Sequence, residues 1–184
     1  MHQQRMQQTD ARQCARGLAG AFTERAWDLI EQADRTPVET TEMVDAAHAA
    51  RALWRMATGS RNNIEALRAH QTVSIAAYRA RDAAGSLAAA RLAASCEWID
   101  GPEITRFDSA MTHAAMYLAT LAQNGFTDPE PLMAEVASLP AHDRELLSRI
   151  LPWPKARFER TDPLEHRSTP REPCSEPAPA HAGA

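Results

Sequence analysis

The chain has 184 residues, 44% of them apolar, a formal charge of −4 and a pI near 6.0. Such a length and apolar content suffice for one domain with a sizeable core, and the acidic balance argues against a nucleic-acid binder that works by neutralising phosphates. No window approaches the roughly 20 apolar residues that cross a bilayer, and residues 1–8 lack the apolar run of a signal peptide. Neither nucleic acid nor membrane is an expected partner, and the cytoplasm is the expected compartment.

Residues 1–13 are polar and glutamine-rich and read as a flexible N-terminus. A first helix is expected from about Cys14 to Asp34, with Leu18, Phe22, Ala26, Leu29 and Ile30 on one stripe at three- and four-residue steps. Gly17 and Gly20 weaken its start, which can shift toward Ala21. Thr36-Pro37-Val38-Glu39 then combines an N-cap, a proline at the first helical position and a capping-box glutamate. The second helix runs to about Thr58, where Gly59 supplies a left-handed stop.

Ser60 is the expected cap of a third helix reaching Arg81 through Ile64, Leu67, Val73 and Tyr78. Asp82 caps a fourth, Leu87 to Trp98. After the turn Asp100-Gly101-Pro102 a fifth helix runs through Phe107, Met111 and Leu118 to Asn124-Gly125. Asp128-Pro129 introduces a short sixth, Leu132–Leu139, and Pro140 opens a last one through Ile150 and Leu151. No segment alternates like a strand. The packed region is therefore expected over 14–151 as an all-α fold of antiparallel helical hairpins, six to seven helices in all. Seven of the twelve prolines lie in 152–184, so that segment reads as a disordered tail that buries too little apolar area to offset its ordering entropy. Small residues recur at helical spacing in Ala46-Ala47-His48-Ala49-Ala50 and in Leu87–Ala94, which lets helix backbones approach closely.

His70-x-x-Val73-Ser74-x-x-Ala77-x-x-x-Arg81-Asp82-x-x-x-Ser86, with Ala93 seven residues later, resembles a tetratricopeptide hairpin, a repeat of about 34 residues. Ala77 replaces the usual aromatic and Arg81 the usual turn glycine. Met116-Tyr117-Leu118-x-x-Leu121-x-x-x-Gly125 looks like the first helix of a following hairpin. The stretch Ala46 to Gly125 is also similar to uncharacterised bacterial helical-repeat proteins that combine a small-Arg-x-x-Trp helix, here Ala50-Arg51-x-x-Trp54, with a Gly-Asp turn, here Arg81-Asp82, and an alanine-rich hairpin. What the resemblance implies is a stack of hairpins presenting a curved surface to a peptide or helix of a partner.

Candidate binding residues on such a surface are Arg51, Trp54, Arg55, Asn62 and Asn63. A guanidinium beside an indole can grip a carboxylate, and amides can hold a peptide backbone. The plainer alternatives are that Trp54 fills the space between the second and third helices, and that the asparagines cap a helix start. A second constellation is Asp45, His48, His70, Asp108 and His113. Asp45 and His48 are helical neighbours, as in the carboxylate–histidine motifs of helical di-iron proteins. Glu65/His70 and Asp108/His113 are five apart, however, and five residues turn a helix by about 140°. A metal pocket then requires the second, third and fifth helices to bring these groups together. Ser74 and Ser109 lack the glycine pattern of a nucleophile elbow, and Cys96 reads as a small buried hydrophobe. Cys14, Cys96 and Cys174 offer no CxxC pair and no disulfide framework. There is no phosphate loop, dinucleotide fingerprint or His-Glu-x-x-His, so no cofactor is expected.

Three functions follow as expectations: a protein-binding adaptor, whose partner is another protein or a peptide; a small all-α enzyme or metal protein using the His/Asp pocket; and a homodimer built on alanine-rich faces.

Overall fold

The computed structural model describes residues 2–59, 63–96 and 104–153, with side chains from Met6 onward. Over them the chain is all-α: α1 (His2–Glu31), α2 (Pro37–Thr58), α3 (Ile64–Arg79), α4 (Ala83–Cys96), α5 (Arg106–Asn124), α6 (Glu130–Ala137) and α7 (Ala141–Ile150). The expectations placed on Ser60, Asn62, Trp98, Pro102, Cys174 and the tail beyond Trp153 lie outside the described residues.

The helix ends follow local chemistry. Thr36 caps α2 in a full capping box, its Oγ1 accepting from Glu39 N–H while the Glu39 carboxylate accepts from Thr36 N–H, and Gly59 ends the helix at φ +67°. Asn63, rather than Ser60, caps α3 through Oδ1 on Ala66 N–H at 2.7 Å. Asp82 caps α4 as expected by accepting from Gly85 N–H, and its carboxylate occupies the space a Cβ at position 85 needs. Thr105 and Asp108 form the capping box of α5, which Gly125 closes at φ +72°.

Arginines end helices where no glycine stands. The Arg35 guanidinium donates to the carbonyls of Leu29, Ile30 and Gln32 beyond α1. Arg144 donates to Leu139 and Ala137 O after α6, and Arg79 to Arg149 and Ile150 O at the end of α7. These placements satisfy carbonyls that a helix end leaves open and set a cation against the negative end of the dipole.

α1 and α2 form an antiparallel hairpin. Arg12 lies against Gly59, the Trp54 indole donates to Thr23 Oγ1, Arg25 pairs with Glu42, and Gln32 bonds Glu39. α3 and α4 are antiparallel across the Ser74–Ser86 contact, and α5 runs parallel to α3 with α4 packed on both. α6 and α7 cover α5, and α7 returns to α1 through the Arg149–Glu31 pair.

One core joins all seven helices around Leu29, Ile30, Met43, Ile75, Leu118 and Leu147, with alanines filling the closest approaches. A smaller cluster of Leu67, Ala93 and Cys96 lies under Ile64 and Ile104.

α1 departs from expectation in two ways. It begins at His2, so residues 2–13 are helical, and it ends at Glu31 rather than Asp34. Gln, Arg, Met and Ala are good helix formers, with no proline among them. Gly17 and Gly20 interrupt nothing, since a Cβ at either would meet only open space. Its buried stripe is also shifted. Ala15, Ala19, Ala26, Leu29 and Ile30 face inward, while Leu18 and Phe22 stay 48% and 38% exposed. The small residues take the seam because α2 packs close there, which leaves the bulky pair on the outer side of the hairpin.

Candidate functional site

Of the ten residues proposed from sequence, the nine that are described do not come together in one place. Asp108 is buried and committed within the fold. Its carboxylate accepts from Arg68 Nε at 2.8 Å and Nη2 at 3.1 Å, and from Thr105 N–H and Oγ1. Gln71, also buried, donates to Asp108 O and to Thr112 Oγ1, which closes a polar seam between α3 and α5. Burial alone would raise the Asp108 pKa, but the Arg68 and Thr105 hydrogen bonds outweigh it and hold the carboxyl below its usual range.

His113 points elsewhere. Its Nδ1 lies 2.7 Å from Glu135 Oε2 on α6, at the surface. Glu65 and His70 also part company, as their five-residue spacing requires, with Glu65 lining a cleft by the start of α3.

Arg51 acts on both His48, on its own helix α2, and His70, across the seam on α3. Desolvation first, then the Arg51 charge, lowers the His70 pKa to about 4, and the same two causes lower that of His48 against the pull of Asp45 and Asp82. His70 Nδ1 is buried without a hydrogen-bond partner. The Arg51 charge that acts on both imidazoles also disfavours a cation beside them. Among the described residues no three of His, Cys, Asp and Glu are grouped so as to hold a metal.

The expected grip of Arg51 with Trp54 is not assembled either. Trp54 packs toward α1 through its bond to Thr23, not between α2 and α3, while Arg51 faces α3. Asn63 spends its side-chain oxygen as a cap. With Thr9, Arg12, Arg16 and Glu65 it lines a cleft of about 730 Å³ between α1 and the start of α3. Cys96 is buried, its thiol pushed up by desolvation, and Cys14 is an exposed free thiol.

The feature that sequence reasoning missed is the outer face of the α1–α2 hairpin. A groove of about 510 Å³ runs there between Phe22 and Arg25 on α1 and Val38, Thr41, Asp45 and Ala49 on α2. Val38 is 77% exposed, and Leu18 and Met56 add apolar surface on the same two helices. The Arg25–Glu42 pair, 2.8 Å apart, straddles the groove. The signal was present in the sequence: two bulky residues at i and i+4, Leu18 and Phe22, flanking a second stripe of small ones at Ala15 and Ala19. Placing Leu18 and Phe22 on one stripe with Ala26, Leu29 and Ile30 hid it.

Compared with models of known protein families, with curated proteins and with solved structures, the chain matches none. No helix among the described residues is long and apolar enough to cross a membrane.

Proposed function

We propose that this protein is a helical interaction module, an adaptor or accessory factor of the cytoplasm that docks another polypeptide on the outer face of its α1–α2 hairpin. The observation that carries this reading is the exposure of Leu18, Phe22, Val38 and Met56 on the two longest helices among the described residues, whose other sides are buried in the core through Ala26, Leu29, Ile30, Met43 and Ala47. Contiguous apolar surface rimmed by charge marks interaction sites in proteins that are otherwise well packed. Two antiparallel helices form a shallow groove that suits an amphipathic helix with apolar anchors at i, i+3, i+4 and i+7.

Two further observations support the reading. The α3–α4 turn keeps a left-handed residue, Arg81 at φ +63°, where the tetratricopeptide resemblance has glycine. The polar groups that chemistry would need are either consumed in the fold, as Asp108 is, or dispersed, as His113 is. Photo-cross-linking from within the cell tests the proposal. A benzophenone side chain in place of Thr41, on the groove, yields an adduct of higher mass, whereas the same group in place of exposed Arg91 on α4 does not. Equal yields, or none from position 41, would refute it.

A further inference from the structure

We infer that the groove on the α1–α2 hairpin receives a basic amphipathic helix of another protein, its apolar stripe on Phe22 and Val38 and its lysines or arginines against the carboxylates around them. The inference rests on the groove being a docking surface. Val38 and Met56 stand 18 residues apart on α2, five whole turns, so they share one line about 27 Å long. Phe22 borders the groove from α1, and Leu18 follows it one turn away. An occupant that covers this line is a helix of about five turns.

The charge of the groove names the sign of that helix. Asp45 lies close to two turns beyond Val38 on the same side of α2, is exposed, and makes no ion pair among the described residues. Arg25 is the only cation that lines the groove among the described residues, and it is already spent, donating through Nε and Nη2 to Glu42 at 2.8 and 2.9 Å. The charges of Asp28 and Glu39 act on the same guanidinium. Four carboxylates, Asp28, Glu39, Glu42 and Asp45, thus stand against one arginine, a net −3. The arginines of neighbouring turns are directed elsewhere. Arg35 donates to the last carbonyls of α1 and acts on Arg79, Arg51 acts on His70, and Arg12 and Arg16 line the separate cleft beside α3. An apolar stripe laid over Phe22 and Val38 takes Asp45 partly out of water, which costs binding energy unless a cation sits opposite. Lysine or arginine beside the stripe supplies it. A second copy presenting this face would set carboxylates on carboxylates, and an anionic surface is repelled in the same way.

Fluorescence anisotropy on the full chain tests this with two labelled synthetic peptides of about five helical turns. Both carry one leucine stripe at i, i+3, i+4 and i+7, flanked by lysine in one and by glutamate in the other. The lysine peptide binds at least about tenfold more tightly at about 0.1 M salt, and the difference shrinks as salt rises to about 0.5 M. Asp28→Asn/Asp45→Asn weakens the lysine peptide about fivefold or more, whereas Glu130→Gln/Glu145→Gln, which removes as much charge from α6 and α7, leaves it bound as before. Circular dichroism checks that both variants keep their helices. Equal binding of the two peptides, binding of neither at about 100 μM, or equal loss in the two variants would overturn the inference. The adduct formed from position 41 separates that failure from failure of the docking surface. Mass spectrometry of the linked peptide finds lysine or arginine flanking its apolar positions. An acidic segment, or a segment of this same chain, defeats the basic occupant and leaves the surface standing. Absence of any adduct defeats the surface itself.

Discussion

Asp108 shows how one side chain can be mistaken for chemistry when it is architecture. It closes the capping box of α5 and, itself buried, receives the fork of a half-exposed Arg68. Asp108→Ala leaves Arg68 and the α5 N-terminus unpaired and is expected to lower stability by about 2–3 kcal/mol, less than a fully buried pair because Arg68 is half exposed; urea denaturation measures it. Its pH signature follows from the direction of its shift. A carboxyl held below its ordinary 3.8 contributes stability above that value and loses it as the pH falls through the lowered pKa.

His70 acts over a different window. Folded it titrates near 4, unfolded near 6.5, so between those values the unfolded chain binds the extra proton and stability rises with pH. His70→Leu removes that contribution, and the difference in urea midpoint between about pH 5 and pH 7.5 shrinks, leaving only the smaller share of His48. An unchanged difference would show that the imidazole is not held neutral. The sequence shows these residues but not their partners, because Arg68 and Gln71 lie some forty residues from Asp108 and meet it only once α3 and α5 run parallel.

Among the elements, those with a local code were legible and those set by packing were not. The capping box at Thr36, the glycine stops at 59 and 125 and the Asp82 cap all stand where their motifs place them, since each is decided by groups within four residues. The start of α1 and the cap of α3 moved, because helix formers without a breaker extend a helix and Asn63 sits one residue nearer to Ile64 than any alternative. The exposed side of α1 was illegible for a stronger reason: periodicity finds two stripes but only the approach of α2 selects the small one for the seam. Arg81 gives the test at this scale. It holds φ +63° where a side chain costs about 1 kcal/mol relative to glycine, so Arg81→Gly is expected to raise stability by roughly that amount, read from the thermal or urea transition. Thr36→Ala, which removes the hydroxyl that accepts from Glu39 N–H and leaves the backbone N–H on the Glu39 carboxylate, is expected to lower it by about 1 kcal/mol.

At the scale of the molecule, helices far apart in sequence share one core. α7 reaches back to α1 through Arg149 and Glu31, and Arg79 of α3 closes the end of α7. This return buries the inner stripe of α1 and leaves its outer stripe, with that of α2, as an apolar face still open. Fold class and helix number were readable from composition and caps, whereas the choice of face depended on contacts that no local pattern encodes.

The most direct measurement of that face is the yield of the position-41 cross-link in Phe22→Asp beside Leu92→Asp, two charges introduced at similarly exposed apolar positions, one on the hairpin and one on α4. The account predicts that Phe22→Asp abolishes the adduct while keeping parental helicity, and that Leu92→Asp leaves the adduct intact. A parental yield in Phe22→Asp, or its loss in Leu92→Asp alone, would contradict it.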